Sequence, residues 1–135
     1  MQETNMQFID SHCHLNINVK NSFDQVLTND EIQKAQVEAD RAAKIGVTQI
    51  INVGTSLIES ENCIKIGQAT SSCYAAIGIH PTDCTPEWNK QLQDMKKRWL
   101  SNKETIQNLK IVAIGECGLD YYRPGFNKQR QKDAF

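Results

Sequence analysis

The run Val47-Thr48-Gln49-Ile50-Ile51-Asn52-Val53 limits the fold more than any other stretch of the chain. It is rich in β-branched residues almost throughout and stops at Gly54. That is the composition of a strand buried on both faces, and such strands belong to parallel sheets. A parallel neighbour requires a long crossover, usually a helix. The run therefore predicts a helix on either side of it.

The flanking sequence supplies both. Upstream, Ile32, Ala35, Ala39, Ala42 and Ile45 recur at helical spacing; Asp30 with Gln33 reads as a capping box, and Gly46 stands where a C-terminal cap belongs. Downstream, Ser56 with Glu59 repeats the capping-box signal and opens a helix reaching residue 70. The alternation extends both ways. Residues 7–12 read as a first strand, followed by a polar loop over 16–29 that holds Asn16, Asn18 and Asn21. Residues 74–79 read as a third strand ending at His80-Pro81. Thr85 and Pro86 suit the N-cap and first position of a helix carrying Trp88, Leu92, Met95 and Trp99 on one stripe. Residues 110–115 form a fourth strand, and 126–135 resemble the opening of a further helix. The order βαβαβαβ implies parallel strands joined by right-handed crossovers. With 135 residues and 39% apolar content, the expectation is one domain over 1–135.

Polar groups fall at equivalent places in these units. Strand side chains repeat with period 2, so His12 and His14 leave the backbone on one face and Cys13 on the other. In Val112-Ala113-Ile114-Gly115-Glu116-Cys117-Gly118-Leu119-Asp120-Tyr121-Tyr122 an apolar run ends on Gly115, and the Glu116 carboxylate sits before another glycine. Two imidazoles and a carboxylate are the ligands of Zn, Mn or Fe sites that keep positions open for water and substrate. His80 ends the third strand. Parallel α/β folds place their active sites at the carboxyl ends of the strands, so these four residues are expected to converge. The chemistry this suggests is that of a metal-dependent hydrolase.

Several neighbours have two readings each. His80 either donates to a substrate phosphate or bonds its own loop. Asp10, of the same parity as the histidines, either orients an imidazole or satisfies backbone donors. Asp120 either supports the site or caps the following turn. Tyr121, Tyr122 and Arg123 either stack on a base and meet a phosphate or serve packing. Lys96-Lys97-Arg98 lies on the polar side of the tryptophan stripe and reads as a solvated helix face.

The formal charge of -1 means that any nucleic-acid contact must come from a local site and not from the net field. Residues 1–7 are polar and carry Glu3, unlike a signal peptide, and no window approaches the ~18 apolar residues of a membrane span. Cys13, Cys63, Cys73, Cys84 and Cys117 are odd in number and lack paired spacing. They read as reduced thiols of a cytoplasmic protein, or a nuclear one in a eukaryotic cell.

Ile9-Asp10-Ser11-His12-Cys13-His14-Leu15, Gly78-Ile79-His80-Pro81 and Ile114-Gly115-Glu116-Cys117-Gly118-Leu119-Asp120-Tyr121 resemble, in order, three motifs of the TatD family of metal-dependent deoxyribonucleases. Arg130-Gln131 and Phe135 fit the helix that follows. The resemblance implies a TIM-type (β/α)8 barrel, of which this chain holds about the first four strands and three helices. It implies hydrolysis of DNA phosphodiester bonds by metal-activated water, with two divalent ions, Zn, Mg or Mn, ~3.5 to 4 Å apart. His12 and His14 would bind one ion and Glu116 would bridge both. His80 would share the catalytic work with Glu116 by donating to a phosphate oxygen, and Tyr122 and Arg123 would contact DNA. Asp10 and Asp120 would stand behind the ligands.

A full barrel takes ~250 residues, and in the family two further histidines and an aspartate come from later strands. All three histidines of this sequence are already used. The alternatives are therefore a non-catalytic half-barrel that binds a metal or a complementary carboxyl-terminal half, or another His-x-His metallohydrolase such as a PHP-type phosphoesterase or an amidohydrolase. Open edges on strands one and four also predict self-association.

Overall fold

The computed structural model of the chain describes residues 6–20 and 22–135. The polar start over 1–5 and Asn21 of the asparagine-bearing loop lie outside the described residues. Four strands form one parallel sheet: β1 (Phe8–Cys13), β2 (Val47–Val53), β3 (Cys73–Ile77) and β4 (Ile111–Ile114), in spatial order β1-β2-β3-β4. Spatial order follows sequence order with no reversal. A doubly wound sheet reverses at a switch point; a barrel wall does not.

The expected helices are present as α2 (Asn29–Lys44), α3 (Leu57–Ala69) and α4 (Trp88–Trp99), with α6 (Lys128–Ala134) as the further one. Two short helices lie where loops were expected: α1 (Leu15–Asn18) and α5 (Lys103–Asn108). Neither is long enough to show apolar periodicity, and an isolated helix this short does not sustain itself.

Caps correct the sequence reading in three places. The box that starts α2 is Thr28 with Glu31, both halves formed, and not Asp30 with Gln33. Ser56 does accept from the Glu59 amide at the start of α3, but the Glu59 carboxylate turns elsewhere. Helix α4 begins at Trp88, so Thr85 and Pro86 precede it; the Thr85 hydroxyl accepts from the Glu87 amide in the approach turn. At α2 Thr28, Asn29 and Asp30 compete for the cap and Thr28 takes it; at α3 the Glu59 carboxylate is drawn to Asn16, Lys20 and Asn62; and α4 has Glu87 at its N-cap with no side-chain cap bond.

The core lies between sheet and helices in two clusters. One joins Ile77, Ile79 and Ile111 of the β3–β4 side to Met95 and Trp99 of α4, with Trp88 and Leu92 packed against it. The stripe read from the sequence is thus the buried stripe. The other joins Ile50 to Leu15, Leu27, Ala35, Ala39 and Ile66, with Cys13 against it. Ala35 and Ala39 are almost wholly buried and let α2 lie close to the sheet. The edges are open: Phe8 and Ile9 on β1, and Val112 and Ile114 on β4, are exposed.

Candidate metal centre

Three strand ends meet at one place. The His12 and His14 Nε2 atoms lie 3.6 Å and 4.0 Å from Oε2 of Glu116, and the His80 Nε2 lies 3.5 Å from Oε1. One carboxylate therefore faces three imidazoles, two on one oxygen and one on the other. His12 is in β1, whereas His14 has left the strand and serves as N-cap of α1. Their rings meet edge to face at 5.1 Å between centroids.

Backbone packing brings Glu116 to this point. The Gly115 amide donates to the Ile77 carbonyl at 2.8 Å, and the Glu116 amide to the Gly54 carbonyl at 2.9 Å. The chain leaving β4 thus crosses the end of β3 to reach the end of β2. Gly78 makes the crossing possible, because a Cβ there would lie 2.8 Å from the Gly115 carbonyl carbon and 2.9 Å from the Glu116 oxygen. Gly54 is equally constrained, its missing Cβ lying 2.5 Å from Ser60 Oγ.

Hydrogen bonds set the tautomers of two histidines. His14 Nδ1 lies 2.9 Å from the Val53 carbonyl oxygen. A carbonyl only accepts, so Nδ1 carries the proton and Nε2 presents a lone pair. His80 is the reverse. Its Nδ1 accepts the Thr82 amide at 3.1 Å and lies 2.7 Å from the Thr82 hydroxyl, so the neutral ring carries its proton on Nε2, toward Glu116. His80 thus bonds its own loop and turns its Nε2–H toward the Glu116 carboxylate.

The ligand atoms of His12, His14 and Glu116 all lie within 4.8 Å of one another. A cation held at ~2.0 to 2.2 Å from nitrogen and oxygen suits such a set. A histidine donating its second nitrogen to a carbonyl is the usual support of a metal ligand. The donor set therefore fits a divalent cation.

The remaining residues fall around this centre. Asp10 Oδ1 accepts the His12 amide at 3.1 Å. Asp120 Oδ1 accepts the Tyr122 amide at 3.0 Å, and the Asp120 backbone is held at both its N–H and its C=O by the Gln131 side chain. Tyr122 is 96% exposed and Arg123 is exposed beside it. Tyr121 has Lys128 over its ring at 5.2 Å. Cys13 turns away from the histidines into the core, while Cys117 is exposed. Arg98 of the basic run pairs with Glu61 at 2.9 Å and stacks on Trp99.

Two supports escaped the sequence reading. The Val53 carbonyl is backbone and has no residue signature. Thr82, two residues after His80, is a local hydroxyl that no spacing rule marks as the partner of the ring.

Comparison with known proteins places the chain in a family. The family described as TatD related DNase matches residues 9–135. A 3'-5' ssDNA/RNA exonuclease TatD from Dickeya dadantii is 38% identical over 96 residues, covering 70% of this chain and 34% of the relative. Its counterpart from Enterobacter lignolyticus is 36% identical over 95 residues, with the same coverage. The chain thus aligns with about a third of the length of these curated relatives. Among solved structures, a TatD homologue from Escherichia coli k12 superposes with TM-score 0.73 at 24% identity, covering 96% of this chain and 44% of that one. A hydrolase TatD family protein from Entamoeba histolytica superposes with TM-score 0.69 at 29% identity, covering 96% and 43%. The four-stranded parallel sheet is accordingly a partial (β/α) barrel, and the chain belongs to the TatD related DNase family.

Proposed function

We propose that this chain is a single partial domain, the amino-terminal half of a metal-dependent nuclease, and that it carries the first part of a phosphodiesterase site. The observation behind this reading is the convergence of His12, His14 and Glu116, from opposite edges of the sheet, to within ligand distance of one another. The substrate class is nucleic acid, DNA in the first place, as the names of the relatives suggest.

In this reading His12, His14 and Glu116 would hold a divalent cation, and Glu116 would also serve a second. When bound, such cations polarise a phosphoryl oxygen and lower the pKa of water, and Zn, Mg and Mn all suit the ligands. The chain's own residues orient the phosphodiester. His80 donates from Nε2 to a phosphate oxygen while Thr82 holds its ring. Tyr122, free in solvent, offers a ring to a base, and Arg123 a charge to the next phosphate. Asp10 and Asp120 fix the backbone of His12 and Tyr122. The cytoplasm is the compartment this reading assigns.

A second reading has its own support. All three histidines of the sequence stand at this one centre, and among the described residues His12, His14 and Glu116 form the one cluster with metal-ligand spacing. The chain would then bind one metal and act only with a complementary carboxyl-terminal half. The test is metal-dependent degradation of single-stranded DNA by the purified chain, alone and mixed with the carboxyl-terminal half of a relative. Activity alone, abolished in Glu116→Ala, supports the first reading. Activity only in the mixture supports the second. No activity in either, with no metal bound, overturns both.

A further inference from the structure

Glu59 has the spacing of a capping residue, yet its carboxylate does not return to the Ser56 amide. It is 2% exposed and accepts from four donors: Asn16 Nδ2 at 2.9 Å, the Lys20 ammonium, the Asp24 amide at 3.3 Å and Asn62 Nδ2 at 3.3 Å. Three of these lie in the segment that follows His14. Asp24 adopts φ +53, a left-handed conformation that aspartate tolerates, and its amide there meets the carboxylate.

Ion pairs on the surface are common, but the Lys20 and Glu59 side chains are each only 3% exposed. Replacing a buried pair by apolar groups of similar volume is often neutral or stabilising, so stability alone does not account for one. What the pair adds is geometry. Three consecutive residues are pinned to the β2–α3 unit: His14 by the Val53 carbonyl, the Leu15 amide by Asn52 Oδ1 at 3.1 Å, and Asn16 by Glu59. Helix α1, four residues long with no side-chain cap, cannot hold this register by itself.

We infer that Glu59, with Lys20, is a positioning residue for the His14 imidazole and sets the affinity of the metal centre from outside it. This rests on the metal-site reading above. Glu59 touches neither His12, His14 nor Glu116; it acts through Asn16 and the first turn of α1, which carry the His14 backbone.

The test titrates the whole chain with Zn²⁺ and follows the His14 ring by long-range ¹H–¹⁵N spectra. In Lys20→Met/Glu59→Ala both charges go, no buried charge is stranded, and Asn16 loses its acceptor. Zinc affinity should fall ~10- to 100-fold, the usual cost of losing support behind a ligand, and His14 should become a mixture of tautomers. In Lys20→Met/Glu59→Gln the Gln oxygen still accepts from Asn16, and affinity should return to within about threefold of wild type. Asn16→Ala leaves the ion pair intact and should weaken zinc like the first variant; it carries the test if that variant does not fold. Wild-type affinity in Asn16→Ala, or equal weakening in the Ala and Gln double variants, overturns the proposal. His14→Ala and Glu116→Ala are the controls. If they leave zinc binding unchanged, the metal-site reading itself has failed.

Discussion

The His14 Nδ1 atom lies 2.9 Å from the carbonyl oxygen of Val53, a residue 39 positions later in the chain. That bond joins the end of β1 to the end of β2 and leaves one ring nitrogen with a lone pair at the site. His80, held by Thr82 through the same ring position, is protonated on the opposite nitrogen. Long-range ¹H–¹⁵N spectra of the neutral rings should therefore show opposite tautomers, Nδ1–H for His14 and Nε2–H for His80. Identical tautomers would contradict the hydrogen-bond assignment. His14→Ala should reduce Zn²⁺ affinity by more than the ~10- to 100-fold typical of losing a supporting group, since a ligand itself is removed.

Gly78 tests how the site is assembled. Gly78→Ala forces a methyl group to 2.8 Å from the Gly115 carbonyl carbon, against backbone that cannot rotate away. The β4 exit must shift, and Glu116 with it. The expected result is a loss of about 1–3 kcal/mol of stability together with weaker metal binding. Gly67→Ala is the contrast: its nearest neighbour would be the Cys73 oxygen at 3.4 Å, an ordinary contact. In the last turn of α3 that change should be neutral or stabilising by up to about 1 kcal/mol. Denaturant unfolding with metal titration separates the two, and equal effects would refute the close-approach argument.

Much of this was legible in the sequence because the relevant signals are periodic. The run ending at Val53 announced a parallel strand, the Trp88–Trp99 stripe announced the α4 face, and the strand ends at His12, His80 and Glu116 announced convergence. What stayed hidden has physical causes. Caps compete among adjacent polar residues, so Thr28 displaced Asp30. Backbone partners such as the Val53 carbonyl have no residue code. Glu59 could be placed at the third position of α3, but a sequence does not show that a carboxylate there will meet a lysine and two asparagines.

Thiol chemistry offers a direct check on packing. Cys63, Cys73 and Cys84 are buried, Cys13 is half-buried, and burial raises the pKa of all four, most strongly for Cys63. The thiolate is the reactive form, so these should react slowly. Cys117 alone is exposed. Reaction of the native protein with a chromogenic disulfide near neutral pH should show one fast thiol, lost in Cys117→Ser, and four that appear only on denaturation. Two or more fast thiols would mean that the helix-side core is looser than the burial of Cys63, Cys73 and Cys84 implies.

The open edges predict association. Val112 and Ile114 on β4 are 51% and 62% exposed, and Ile9 on β1 is 61% exposed. Unpaired strand edges bearing apolar side chains recruit other strands. Sedimentation of the isolated chain should show concentration-dependent oligomers, and Val112→Lys should shift them toward monomer. A monodisperse wild-type monomer that unfolds cooperatively would refute this.

Glu61 supplies a pH test. Burial raises its pKa, but Arg98 at 2.9 Å and Lys65 at 3.4 Å outweigh burial and hold the carboxyl below its ordinary value. A group depressed in the folded state contributes stability that is fully present above its unfolded value, ~4.3 for glutamate. That contribution disappears as pH falls through the lower folded value. Arg98 is 46% exposed, so the pair contributes no more than about 1 kcal/mol. Glu61→Gln should therefore lower the thermal midpoint at neutral pH by at most about 4 °C, and the gap should close on acidification below the unfolded value. A gap that persists unchanged at low pH would show that Glu61 acts through packing and not through charge.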